Sequence, residues 1–95
     1  MLNLLKRLFA GGGGAAAAAV ESDPEDYRGF QIVATPRQVS GGWSTEGIIR
    51  KEIDGAPRES TFIRADTSMS RDDAVAVSLS KGRKIIDEQG ERLFD

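Results

Sequence analysis

The pair Asp54-Gly55 separates two runs of alternating side chains and predicts a β-hairpin. Both central residues of a tight hairpin turn take positive φ, which Asp and Gly accept more readily than most residues. In residues 43–53, before the pair, apolar or small side chains fall on one face and mostly polar side chains on the other, which indicates a sheet with one buried side. Residues 58–64 form the next predicted strand, in which either Phe62 or Ile63 could be the buried residue.

A first strand and a C-terminal helix complete the predicted domain. Residues 27–35 alternate in the same way and end at Pro36. Ser70, followed three residues later by Asp73, is typical of a helix N-cap with a capping box. Gly90 is typical of a residue that ends a helix.

The predicted fold class is α+β, a three-stranded antiparallel meander sheet with one C-terminal helix packed on one face, in the order β-β-β-α. This is about the smallest such arrangement expected to be stable alone. At helical spacing, Ser78 and Gly82 fall near the middle of the apolar arc of the helix. Small residues there would let the helix backbone approach the sheet closely. The other face of the sheet stays open unless a partner covers it.

The N-terminal segment has a different composition from the domain. We interpret residues 1–25 as a flexible apolar and Gly/Ala-rich tail and linker, and residues 26–95 as the domain. Leu2, Leu5 and Phe9 recur at helical spacing. They indicate either a frayed tail, because helices this short are marginal alone, or an anchor that contacts a partner or a membrane surface.

Composition restricts the chemistry that the chain can perform. It contains no cysteine and no histidine, which excludes disulfides, thiolate metal sites and His-based acid–base catalysis. We therefore expect a cytoplasmic protein that is not an enzyme and that has no cofactor and no metal site. The net charge of −2 does not show the basic excess usual for a non-specific nucleic-acid binder, so charge gives no support to a nucleic-acid partner.

Arg50, Arg64 and Trp43 are the candidate residues for contact with a partner or an anion. The two arginines lie on neighbouring predicted strands and could meet in one cationic patch. The alternative is that they form cross-strand ion pairs with nearby glutamates. Trp43, the single tryptophan, is either a contact residue or the edge of the core.

Several motifs over residues 27–94 carry a family resemblance. They are Tyr27-x-Gly29-Phe30-x-Ile32, Gly42-Trp43, Phe62-Ile63-Arg64-Ala65-Asp66 and Ile86-Asp87-Glu88-Gln89-Gly90. Together they resemble the small bacterial HlyU family, which is labelled a transcriptional activator. The resemblance implies a role in gene regulation.

The predicted elements themselves do not form a known DNA-binding motif. A helix-turn-helix needs two helices joined by a short turn, and the pattern here predicts one helix. We expect a protein-interaction or regulatory module that binds a protein partner or self-associates through the open sheet face or a sheet edge. The alternative is a DNA-binding transcriptional activator, as the family label implies.

Overall fold

The computed structural model describes residues 21–95. These residues form a five-stranded antiparallel sheet, one α-helix and a short 3₁₀-helix. In chain order the elements are β1 (Glu25–Tyr27), β2 (Phe30–Ala34), β3 (Gln38–Val39), β4 (Gly42–Ile53), β5 (Ala56–Ser68), α1 (Arg71–Gln89) and the 3₁₀-helix (Gly90–Phe94). The predicted anchor at Leu2, Leu5 and Phe9 lies outside the described residues, as does most of the predicted tail.

Strand β4 is the centre of the sheet. It pairs with β5 along one side and with β2 along the other, and β1 pairs with the outer side of β2. The short β3 pairs with the first residues of β4 on the same side as β2. Backbone hydrogen bonds from Thr35 N–H to the Glu46 carbonyl (3.0 Å) and from Ser44 N–H to the Arg37 carbonyl (2.8 Å) bridge the interval between β2 and β3. Strand β5 is therefore the edge on one side of β4, and β1 and the short β3 are edges on the other side.

The α+β class with one C-terminal helix is confirmed, whereas the count of three strands is corrected. The predicted strand 27–35 is a hairpin, because Arg28 (φ 52°) and Gly29 (φ 84°) turn the chain between β1 and β2. Positive φ at Arg is uncommon, so the sequence pattern gave no sign of this turn. The short strand β3 was also not predicted, and β5 continues to Ser68, beyond the predicted limit.

The β4–β5 hairpin forms at the predicted turn. Asp54 (φ 53°) and Gly55 (φ 79°) both take positive φ. Pairing runs in regular register from this turn to the pair of Thr45 with Arg64. The next residue of β4, Ser44, pairs with Thr67, so two residues of β5 are left without a partner in β4. Ala65 and Asp66 therefore form a β-bulge, which disrupts the ladder at this point.

The core lies between the sheet and α1. Ile32, Ile49 and Phe62 point towards the helix and are buried, with Phe62 only 8% exposed. Ile63, the next residue, is 59% exposed on the opposite face, which resolves the ambiguity between the two residues. Val33 is fully buried on the face away from the helix.

Helix α1 begins and ends where the sequence predicts. Ser70 Oγ accepts a hydrogen bond from Asp73 N–H (3.1 Å), the standard N-cap contact. Gly90 takes positive φ (55°) and donates its N–H to the Ile86 carbonyl. The 3₁₀-helix that follows places Phe94 against Phe30, with ring centroids 6.0 Å apart.

Side chains of β1 and of the turn after it bind one flank of α1. Glu25 accepts hydrogen bonds from Arg83 Nη1 at 2.7 and 2.9 Å. Tyr27 Oη donates to Asp87 Oδ1 at 2.8 Å, and Arg28 Nε lies 3.1 Å from the same oxygen. The Tyr27 oxygen and the Asp87 carboxylate raise the pKa of Arg28 above its ordinary value. This edge is thus three residues long and attached to the helix.

Candidate functional site

Strand β5 is the long edge of the sheet. The Glu46 carbonyl and the Ser44 N–H point towards β2 and β3. Backbone groups of successive residues in a strand point to opposite sides, so the backbone groups of Thr45 and Gly47 point towards β5. Their partners there are Arg64 and Phe62, which therefore direct their own backbone groups inwards, to β4.

The alternate residues of β5 direct their N–H and carbonyl groups outwards. Between Pro57 and the bulge at Ala65, these residues are Glu59, Thr61 and Ile63. No other strand of the described residues pairs with this side of β5. We call residues 58–64 the edge window.

Both ends of the edge window carry features that prevent further strand pairing. Pro57 has no N–H to donate, and the bulge at Ala65 and Asp66 interrupts the ladder at the other end. Between these limits the backbone is regular, and Ile63 exposes 59% of its surface on the open face. The Ile63 carbonyl accepts a hydrogen bond from Arg64 Nη1 at 3.1 Å. The window therefore combines backbone groups that no neighbouring strand satisfies with an exposed apolar side chain.

A shallow groove of about 220 Å³ runs between β5 and the adjacent flank of α1. Its lining includes Arg64 from the strand, and Lys81, Lys84 and Glu88 from the helix. Lys81 Nζ lies 3.6 Å from the Asp66 carboxylate, which offsets part of its charge. We call this the basic groove.

The structure separates the two arginines of the predicted cationic patch. Arg50 lies on the open face, opposite Glu59 in register, with Arg50 Nε and Glu59 Oε2 2.8 Å apart. It also lies 3.5 Å from Glu21. Arg64 points to the helix side of the sheet, where it lines the basic groove. Arg50 thus forms a cross-strand ion pair with Glu59, and Arg64 lies on the other face of the sheet.

Trp43 lies at the opposite end of β4 from the hairpin turn. It is half-buried and pairs with Gln38 on one side and Ser68 on the other. The β-bulge separates it from the edge window. Trp43 does not line the basic groove that contains Arg64.

Comparison with known proteins places the chain in a family. The family model described as "Transcriptional activator HlyU" matches residues 3–94, which is nearly the whole chain. The chain belongs to the HlyU family. No curated protein and no solved structure matches it.

The HlyU description suggests a regulator of transcription. Residues 21–95 contain a single α-helix followed by a 3₁₀-helix, so a helix-turn-helix is not formed within them. The same residues contain no group of three or more side chains arranged to hold a metal ion. In this part of the HlyU chain, no helix has both the length and the apolar character needed to cross a membrane.

The sequence did not identify the edge window or the helix side of the basic groove. Ile63 was recognised as ambiguous, but its exposure depends on which face α1 covers. Lys81 and Lys84 lie on the flank of α1 that faces β5, and their proximity to Arg64 depends on how the helix lies across the sheet. The one available signal was the Phe62-Ile63 pair, in which a single strand presents large apolar residues to both faces.

Proposed function

We propose that this HlyU-family protein is a non-enzymatic regulator of transcription, acting in the cytoplasm through protein contact at the edge window. The observation that carries the proposal is the outward backbone of Thr61 and Ile63, which pairs with no other strand of residues 21–95, beside the exposed Ile63 side chain. Among these residues the Ile63 carbonyl accepts a hydrogen bond only from the exposed Arg64 side chain (Nη1, 3.1 Å), which an incoming strand can replace. An unprotected edge strand is a template on which another chain can add a strand. Main-chain hydrogen bonds would then supply affinity, and contacts with alternate side chains would supply specificity.

The position of the protective features supports this assignment. Natural proteins usually blunt exposed edges with proline, bulges or inward charges. Here Pro57 and the bulge at Ala65 and Asp66 stand at the two ends of the window. They limit pairing to a short segment, as expected for an edge that accepts one defined strand and excludes open-ended aggregation.

Complementation of a strain that lacks this gene tests the proposal. The Thr61→Pro variant removes an outward N–H without removing a hydrogen bond to β4, because Thr61 directs its backbone groups away from that strand. The Thr61→Val variant is the matched control, since it keeps the N–H and the branched side chain. We expect wild type and Thr61→Val to restore the transcript profile, and Thr61→Pro to fail although it accumulates to the same level.

The outcomes separate the parts of the proposal. If loss of the gene changes no transcript, the protein is not a regulator of transcription. If Thr61→Pro restores the profile as well as Thr61→Val, regulation does not use the edge window. Circular dichroism of the purified variants confirms that each is folded before the comparison is made.

Direct binding of DNA through the basic groove is the second candidate function. It is favoured by the family description and by the convergence of Arg64, Lys81 and Lys84. Cationic side chains that neutralise phosphates supply sequence-independent affinity that falls steeply with salt. Asp66 and Glu88 lie in or beside the same groove and reduce its net positive charge.

Fluorescence anisotropy with a labelled DNA duplex over a range of salt concentrations tests this second candidate. Lys84→Glu should weaken binding and reduce the salt dependence, whereas Lys84→Arg should retain both because it keeps the charge. Binding that is equal for Lys84→Glu and Lys84→Arg would eliminate the groove as a DNA contact. If the wild-type protein binds no DNA and Thr61→Pro still fails to restore transcripts, protein contact at the edge window is favoured over DNA binding.

A further inference from the structure

We infer that the strand received by the edge window is β5 of a second copy of this chain, paired antiparallel about a two-fold axis at Phe62. The inference rests on the proposed function, in which the edge window is a contact surface. A second copy is a self-complementary partner, since a two-fold interface uses the same surface on both subunits. The two sheets would join into one continuous sheet with both α1 helices on the same side.

Backbone geometry restricts the register. In an antiparallel pair, residues that exchange two hydrogen bonds must both direct their backbone groups towards the other strand. On β5 those residues are Glu59, Thr61 and Ile63. A two-fold axis at any residue from Ser60 to Ile63 meets this requirement near the centre of the edge window. An axis at Ser60 places Pro57, which has no N–H to exchange, opposite Ile63 and is excluded.

Side-chain charge selects among these registers. An axis at Thr61 places Arg58 opposite Arg64 of the second copy, and like charges directly opposite each other are destabilising. It also brings Pro57, which has no N–H, into the paired segment. An axis at Ile63 places Arg58 opposite Ser68 of the second copy and Ser60 opposite Asp66, so neither charged residue has an oppositely charged partner.

An axis at Phe62 avoids these conflicts. It places Thr61 opposite Ile63 of the second copy, so that these two residues exchange both hydrogen bonds. The Ile63 carbonyl then accepts the Thr61 N–H in place of Arg64 Nη1. On the helix side, Arg58 comes next to Asp66 of the second copy, which lies in the bulge just beyond the edge window, and symmetry repeats the pair. Opposite charges across two strands stabilise their pairing.

Both charged groups of this pair are accessible. Arg58 is exposed and takes part in none of the ion pairs found among residues 21–95. The Asp66 side chain is 61% exposed and has only a 3.6 Å contact with Lys81. On the open face, the same register packs the exposed Ile63 against Thr61 of the second copy. The edge is thus complementary to itself in charge and in apolar surface.

Sedimentation velocity of the full chain over a range of concentrations measures the predicted dimer. We expect wild type and Thr61→Val to form a dimer and Thr61→Pro to remain a monomer. Charge variants provide a test that does not depend on proline. Arg58→Asp should raise the dimer Kd by about tenfold, because it places two pairs of like charges across the junction. Adding Asp66→Arg to it should restore the Kd.

Disulfide cross-linking tests the register, because the chain has no cysteine of its own. A mixture of the Thr61→Cys and Ile63→Cys variants should form a disulfide-linked heterodimer under mild oxidation, since the two positions lie directly opposite each other. Each variant alone should cross-link much less. Cross-linking of Ile63→Cys with itself would indicate an axis at Ile63, and that of Thr61→Cys an axis at Thr61, and either result would overturn the assigned register.

Other outcomes would overturn the inference as a whole. The first is that the chain stays monomeric at every concentration. The second is that it forms a dimer whose Kd is unchanged by both Thr61→Pro and Arg58→Asp. The proposed function would survive the first outcome if Thr61→Pro still failed to restore transcripts, because the window would then bind a different protein. If a dimer formed as predicted but Thr61→Pro restored transcripts normally, the proposed function would be wrong while the dimer inference would stand.

Discussion

Gly82 of α1 lies so close to Ile32 of β2 that a Cβ atom at position 82 would stand 2.6 Å from Ile32 Cγ2. Real Cβ atoms do not approach other heavy atoms this closely, and Ile32 is fully buried in the core. Glycine in a helix interior costs about 1 kcal/mol relative to alanine. The close approach of helix and sheet explains why glycine is nevertheless found here.

Replacing Gly82 with leucine should destabilise the domain. The added side chain has no space against Ile32 and Phe62, and overpacking of this kind costs about 1–3 kcal/mol. Urea unfolding followed by circular dichroism would measure the change in the free energy of unfolding. The control is Ser80→Leu on the exposed side of α1, which should change it by less than about 0.5 kcal/mol. A neutral Gly82→Leu would contradict the close packing of α1 on β2.

Ser78 joins the helix to the central strand by a buried hydrogen bond. Its Oγ accepts the Glu46 N–H at 3.1 Å, and the residue is fully buried. The Ser78→Ala variant should lower the free energy of unfolding by about 1–3 kcal/mol, because it leaves a backbone donor without its acceptor. The exposed Ser80→Ala provides the comparison in the same unfolding assay. Equal stability of the two variants would show that the Ser78 hydrogen bond is not significant.

Ser70 should stabilise the folded domain through its N-cap contact with Asp73 N–H. Loss of such a cap costs about 1 kcal/mol, so Ser70→Ala should lower the midpoint of urea unfolding. Ser70→Asp should recover most of the loss, since aspartate also accepts the N–H and is favoured at the positive end of the helix dipole. If aspartate were no better than alanine, the cap would not be the cause of the effect.

The attachment of β1 to α1 should depend on Asp87, which accepts from Tyr27 Oη and pairs with Arg28. Removing this carboxylate in Asp87→Ala should raise amide hydrogen exchange in β1 and leave exchange in β4 unchanged, because β1 is a short edge strand. The control is Glu88→Ala on the opposite flank of α1. Exchange that rises equally in β1 and β4 would mean that Asp87 supports the whole domain.

Local signals predicted the elements whose geometry depends on near neighbours in the chain. The Asp54-Gly55 turn formed because both residues tolerate positive φ, and Ser70 and Gly90 delimit α1 through contacts within one helical turn. The Arg28-Gly29 turn was missed because arginine seldom takes positive φ. In this turn Tyr27 and Arg28 both contact Asp87, which is distant in the sequence, so no local pattern signals the turn.

The candidate surface could not be predicted in the same way. Arg64 was identified from the sequence, but Arg50, its expected partner, lies on the other face because residues of adjacent strands meet only when their register matches. The edge window depends on which strand is left without a neighbour. That property belongs to the assembled sheet and has no local pattern in the sequence.

By itself the sequence determined the α+β class, the β4–β5 hairpin, the limits of α1 and the small residues on the side of α1 that faces the sheet. These features follow from backbone preferences and side-chain periodicity, which act over a few residues. Only the tertiary structure decided that Phe62 is buried and Ile63 exposed, that Arg64 lies with Lys81 and Lys84, and that β5 is an edge. These features depend on the order of strands and on the face that the helix covers, which are set by packing between residues distant in the chain.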